Sequence, residues 1–162
     1  MADADLGRRF RDVMGHFATG IVVATGQHEG KPAGFAAQSF LSLSMEPALV
    51  ALAPAKTSTS WPKLRASGSF CINILGADQK AICDKFAQTG IEKFSTFGWR
   101  PGVTGSPVLD GILAYIDCDL EVEHDAGDHT IAIGRVRDLA MLDSTSRPLV
   151  FYRGGYGQFK GL

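Results

Sequence analysis

Two short stretches bring together residue types that could hold a flat, phosphate-bearing molecule. Lys56-Thr57-Ser58-Thr59-Ser60 collects one cation and four hydroxyls directly after the apolar run Ala48 to Ala53. Hydroxyls, an ammonium and main-chain N–H groups are what a bound oxyanion requires. The same residues also make an ordinary capping loop ahead of a helix, and both readings stand. Gly34-Phe35-Ala36-Ala37-Gln38-Ser39-Phe40 mixes small, aromatic and amide residues. Its backbone could lie close to a planar ligand while Gln38 and Ser39 offer hydrogen bonds, or it could be a packed strand.

The remaining reactive side chains point to less. His16 and His28 stand alone and read as surface or hydrogen-bonded residues. His124 and His129 flank Asp125-Ala126-Gly127-Asp128 near Cys118, residue types that ligate metals, but the spacing matches no compact ligand motif and no metal is expected. A G-x-S-x-G nucleophile elbow is absent, as is a G-x-G-x-x-G between a strand and a helix. Cys71, Cys83 and Cys118 are odd in number and widely spaced, so they are expected to be reduced core residues rather than disulfides or a metal site.

The elements that must position these stretches are mostly strands. Leu6, Phe10, Val13, Met14 and Phe17 fall on one face of an amphipathic helix ended by Gly20. Ile21 to Thr25 and Ala33 to Ala37 predict a hairpin around Gly26 to Pro32. Phe40 to Ser44, Ala48 to Ala53 and Phe70 to Leu75 read as further strands, with Ser60 capping a short helix that contains Trp61, Pro62 and Leu64. Asp78 to Gln88 has helical spacing. Thr89 to Gly111, rich in Gly, Ser, Thr and Pro, is expected to be a loop folded onto the body by Phe94, Phe97 and Trp99. Ile112 to Glu123 and His129 to Leu142 read as two long strands, and Leu149 to Tyr152 as the last. Many short strands without βαβ alternation predict a mainly β fold, an antiparallel barrel with peripheral helices.

Length and charge narrow the class. A chain of 162 residues supports one core and one domain, residues 1–162. A formal charge of -1 with interspersed signs gives no basic stripe for nucleic acid. The acidic start Met1-Ala2-Asp3-Ala4-Asp5 lacks the charge and apolar run of a secretory signal, and no apolar run approaches a bilayer span, so a cytoplasmic protein without membrane partners is expected. The chain stops soon after Phe159, so no further segment is expected to cover a pocket.

Taken in order, several segments resemble the flavin reductase-like family: Phe17-Ala18-Thr19-Gly20-Ile21-Val22-Val23, Gly34 to Ser44 with Glu46-Pro47, Lys56-Thr57-Ser58, Phe70-Cys71-Ile72-Asn73-Ile74-Leu75, Gly127-Asp128-His129-Thr130-Ile131, and Pro148 to Gly154. The match covers nearly the whole chain and is most similar to reductase components of two-component flavin monooxygenases. The resemblance implies an FMN-binding split β-barrel of Greek-key-like topology and a homodimer. It implies hydride transfer from NADH or NADPH to FMN or FAD, with reduced flavin diffusing to a partner monooxygenase. By the same resemblance the isoalloxazine lies against Gly34, Phe35, Ala36, Ala37, Gln38, Ser39 and Phe40. The phosphate side falls at Ala53, Lys56, Thr57 and Ser58. Lys93 and Phe94 approach the flavin, and His129 and Tyr152 line the nicotinamide side, His129 as a hydrogen-bond donor. Ala36-Ala37-Gln38 departs from the Ser, Thr or Asn of many relatives, so backbone hydrogen bonds are expected to replace side-chain ones. A non-enzymatic flavin- or haem-binding module and a split-barrel oxidase or deazaflavin-dependent reductase share the architecture and are the alternatives.

Overall fold

The computed structural model describes residues 2–162, with side chains from residue 5 onward, so of the acidic start read over Met1 to Asp5 only Met1 lies outside the described residues. The chain runs α1 (Ala2–Met14), β1 (Thr19–Gly20), β2 (Val22–His28), β3 (Lys31–Ala37), β4 (Leu41–Met45), β5 (Ala48–Leu52), α2 (Trp61–Ser67) and β6 (Ser69–Ile74). A 3₁₀ turn (Ala77–Gln79) then leads into α3 (Lys80–Ala87), β7 (Trp99–Pro101), β8 (Pro107–Leu109), β9 (Ala114–Ala126), β10 (His129–Met141), β11 (Leu149–Tyr152) and β12 (Gly155–Gln158).

Seven strands form one antiparallel sheet in the order β3-β2-β6-β9-β10-β5-β4. It curls because β9 and β10 are long and carry register shifts at Ile133/Gly134 and Val136/Asp138, and a bulge increases local twist and bend. The curl stays open, as the expected split barrel does: β3 and β4 are the two edges of the ladder. Just past the end of the β4–β5 ladder a side chain extends that pairing. Ser39 Oγ accepts from Ala53 N and donates to Ala53 O, each at 3.1 Å.

Both faces of β2 are buried, which is why its apolar run is continuous rather than alternating. Val22 and Ala24 face the inside of the curl with Leu52, Phe70, Ile72, Cys118 and Ala132, plugged by Trp61 and Leu64 of α2. Val23 faces a second core with Cys71, Leu75, Phe86, Leu109, Ile112 and Leu149. A Cβ on Gly134 would stand 2.5 Å from Phe70 Cζ and 2.9 Å from Cys118 Cβ, so glycine there makes room for the Phe70 ring. Gly34 has a comparable packing role: its Cβ would meet Ala24 O at 2.8 Å and Phe86 Cε1 at 3.0 Å.

Several expectations are corrected. The first helix ends at Met14, leaving Phe17 beyond it, and its apolar face lies open, with Leu6 and Phe10 each 63% exposed. The stretch from Thr89 to Gly111 is not all loop, because β7 and β8 pair within it. That hairpin is held by polar groups far away in sequence: Asn73 Oδ1 accepts from Leu109 N at 2.8 Å, and Asp117 accepts from Thr104 N and Oγ1 at 2.9 and 2.6 Å. Ser60 holds the N-cap position of α2, but the side chain that accepts a hydrogen bond there is that of Ser58, from Trp61 N at 3.1 Å. β12, a strand of Gly155-Tyr156-Gly157-Gln158, was not expected, since its glycines carry no strand signal. Among the described residues all three cysteines are free and buried, and no helix is long and apolar enough to cross a membrane.

Candidate functional site

The open seam between β3 and the β4–β5 hairpin holds a cavity of about 380 Å³. Phe35, Ala36, Ala37, Gln38 and Ser39 form one wall, and Ala53, Pro54, Ala55 and Ser58 the other. His129 enters from the start of β10, Cys83 and Ala87 from α3, and Tyr156 from β12.

Each wall is fixed by main-chain bonds. The segment after β5 is stitched to the β9–β10 turn by a bridge between Ala55 and His129, by Thr130 N donating to Pro54 O at 3.0 Å and by Lys56 N donating to Asp128 O at 2.9 Å. On the other wall, β3 is an edge strand, and in a strand the N–H and C=O of one residue point the same way while neighbours alternate. Gly34 O faces outward, where it accepts Lys93 Nζ at 3.0 Å. Two residues on, Ala36 therefore directs its N–H and C=O outward toward the cavity it lines. With only a methyl group on Ala36 and on Ala37, a flat ring can approach that edge and exchange hydrogen bonds with main chain.

The polar side chains follow. Gln38 accepts from Thr19 Oγ1 at 3.2 Å through Oε1, so its NH₂ is the end that can donate to a ligand. Ser39 is spent on the Ala53 clasp. His129 Nδ1 lies 2.7 Å from Asp128 Oδ1, and this hydrogen bond holds the Asp128 carboxyl below its usual range. Its Nε2 is then the ring atom left for a ligand, an acceptor in the neutral tautomer and a donor in the imidazolium. Cys83 Sγ and Tyr156 Oη are 3.6 Å apart. That contact, with burial, pushes the Tyr156 hydroxyl up to about 12, and burial pushes the Cys83 thiol up. Both are neutral at pH 7, so this wall offers weak donors and no anion.

The structure gathers Phe35, Ala36, Ala37, Gln38, Ser39, Ala53, Ser58 and His129 of the expected set around one cavity. It places the others elsewhere. Gly34 and Phe94 line a neighbouring cavity, and Phe40 lines another with Thr19, Ile74 and Pro148. Lys56 turns to an ion pair with Asp125, and Thr57 is exposed. Tyr152 is exposed and edge-on to His16 at 6.3 Å. Tyr156 rather than Tyr152 lines this cavity, because the β11–β12 hairpin reverses at Arg153-Gly154 and pairs Tyr156 with Phe151. Only the unrecognised final strand carried that information.

A small-walled cavity at the seam of an open antiparallel barrel, with a histidine–aspartate pair at its rim, defines a class. The chain belongs to the family described as flavin reductase like domain, whose model matches residues 14–160. Among curated relatives, it is 48% identical over 155 residues to the flavin-dependent monooxygenase reductase subunit HsaB of Rhodococcus jostii, covering 96% of this chain and 79% of that protein. It is 38% identical to the FMN reductase (NADH) SmoA of Agrobacterium fabrum, covering 94% and 86%. Among solved structures, a nitrilotriacetate monooxygenase component B homologue from Mycobacterium thermoresistibile superposes with a TM-score of 0.94 at 45% identity, covering 98% of this chain and 89% of that one. The NADH:FAD oxidoreductase SgcE6 of Streptomyces globisporus C-1027, in complex with NAD and FAD fragments, gives 0.89 at 30% identity over 95% and 93%.

Proposed function

We propose that the chain is an NAD(P)H:flavin oxidoreductase that passes hydride from nicotinamide C4 to N5 of FMN or FAD and supplies the reduced flavin, by diffusion, to a separate monooxygenase. The observation that carries this reading is the seam cavity itself. One wall is an edge strand with methyl side chains and outward main-chain groups, suited to a flat heteroaromatic, and a histidine rim stands opposite. The relatives support it by what they are named for: a monooxygenase reductase subunit, an FMN reductase using NADH, and an NADH:FAD oxidoreductase.

The flavin supplies the redox chemistry when bound, and no nucleophile is required of the protein. Ala36 main chain and the Gln38 amide would hold polar edges of the ring. Ala53 and Ser58 would border its phosphate-bearing side. His129, held by Asp128, would present Nε2 to the nicotinamide carboxamide. Tyr156 and Cys83 close the α3 side and exclude water without contributing charge.

Two finer points belong to the same reading. The chain forms a homodimer in the cytoplasm. An amphipathic helix is stabilised mainly by burying its apolar face, and here Leu6, Phe10 and Val13 are 63%, 63% and 69% exposed, alongside exposed Leu41, Leu43 and Met45 on β4 and Leu139 and Met141 on β10. A second copy covers that surface. The test is oxidation of NADH or NADPH followed at 340 nm with added FMN or FAD under air, with the mass in solution measured on the same sample. Flavin-dependent oxidation by a dimer is expected. Flavin binding without oxidation would leave a binding module, and a monomer would remove the dimer.

A further inference from the structure

Gln38 stands where the seam cavity meets another of about 300 Å³, and its side chain lines both. Its main chain is held on either side: Ala37 pairs with Val22 at the end of β3, and Ser39 is clasped to Ala53. That frame leaves the side chain free. A glutamine keeps three rotatable bonds, and its amide can be turned end for end at no cost in shape, exchanging donor for acceptor. Among the described residues its side chain makes one hydrogen bond, accepting from Thr19 Oγ1 through Oε1 at 3.2 Å. Thr19 belongs to a different sheet, where β1 pairs it with Phe151 of β11. A β-branched side chain on a strand has few rotamers, so the hydroxyl is a firmer anchor than the amide it meets.

The 300 Å³ cavity gives the amide little else to bond, because Phe17, Phe40, Ile74, Leu75 and Pro148 make most of its wall apolar. With Oε1 spent on Thr19, the NH₂ is the end left for a ligand in the seam. The polar edge of an oxidised isoalloxazine carries acceptors at its two carbonyls and at N1 and N5, and a single donor at N3. A donor at the seam therefore matches most of that edge, whereas the reversed amide would match only the N3 hydrogen. We propose that Thr19 is a positioning residue for the flavin: its hydroxyl holds the Gln38 amide so that the NH₂ donates to an acceptor on the bound ring. Fixing the amide beforehand removes ordering that binding would otherwise have to supply. The inference rests on the flavin reading above.

Dissociation constants for FMN and FAD are measured by fluorescence titration on the unaltered protein, Thr19→Val, Thr19→Ser, Gln38→Ala and the double variant Thr19→Val/Gln38→Ala, with urea midpoints on the same samples. Thr19→Val keeps the branched shape and removes the hydroxyl. It should weaken flavin binding about fivefold, the loss expected for one hydrogen bond, at an unchanged midpoint. Thr19→Ser restores the hydroxyl and should bind within about twofold of the unaltered protein. Gln38→Ala should lose at least as much as Thr19→Val, and adding Thr19→Val to it should change nothing further, since both act through one contact. Unaltered affinity in Thr19→Val or in Gln38→Ala, equal losses in Thr19→Val and Thr19→Ser, or a Thr19→Val loss that persists in full without Gln38 would overturn the positioning role and leave the flavin reading in place. Binding of neither flavin to the unaltered protein would overturn both.

Discussion

Two sides of the same curled sheet are built in opposite ways. Across β9 and β10 the ladder runs from Ala126↔His129 to Ala114↔Met141, and β6 continues it from Ser69↔Asp119 to Ile74↔Ala114. At the opposite side β3 and β4 are unpaired edges, and Ser39, in the connection between them, is tied by a side-chain clasp to Ala53 at the end of β5. The zipped side spends its main-chain groups on itself and packs a buried apolar core. The seam keeps main-chain groups of an edge strand available, and the cavity lies there. Hydrogen-bonding capacity for a ligand exists where the sheet leaves its own bonds unmade.

The largest effect should come from the zipped side. Gly134→Val drives a side chain into Phe70 and Cys118, and overpacking of that kind should cost about 3 kcal/mol, measured by urea unfolding. A loss below about 1 kcal/mol would mean that the inner face is loosely packed. At the seam, His129→Ala should raise the KM for NADH about tenfold, the change expected on losing one hydrogen bond to the substrate, while the KM for flavin stays within about twofold. If KM and kcat for NADH are unchanged, His129 does not face the nicotinamide.

Smaller effects sharpen the contrast. Ser39→Ala removes an exposed clasp and should cost about 1 kcal/mol or less, yet raise the KM for flavin, because one wall of the cavity is set by it. A loss as large as that of Gly134→Val would make the seam as structural as the zipped side. The smallest effect is in pH dependence. Asp117 is buried on the zipped side, and burial raises its carboxyl above 3.8. A raised acid favours the protonated folded state, so the contribution of Asp117 to stability should fall as pH rises through and above 3.8. Asp117→Asn should flatten that slope in urea midpoints measured across pH, and an unchanged slope would assign it to other groups.

The zipped side was largely legible in the sequence, and the seam only partly. β-branched runs and the Gly127 turn, where φ is 67°, announce β2, β6, β9 and β10 because their pairing partners are local or their burial is two-sided. Ser39 reads as a ligand donor until Ala53 is seen beside it, and Gly34 reads as a close approach to a ligand until Phe86 is. Both contacts join residues distant in the chain, so no local pattern carries them. Tyr156 was not singled out in the sequence, since a strand with two glycines gives no period to read. The apolar stripe of α1 was legible, but not that this chain leaves it uncovered.

The most direct test of the account is flavin binding by Ala87→Trp, because Ala87 sits at the exposed end of α3 and touches the cavity without belonging to either core. An indole there should fill the seam cavity and raise the dissociation constant for flavin at least about a hundredfold, roughly 2.7 kcal/mol, with the unfolding midpoint unchanged. Flavin bound as tightly as by the unaltered protein would contradict the placement of the site at the seam.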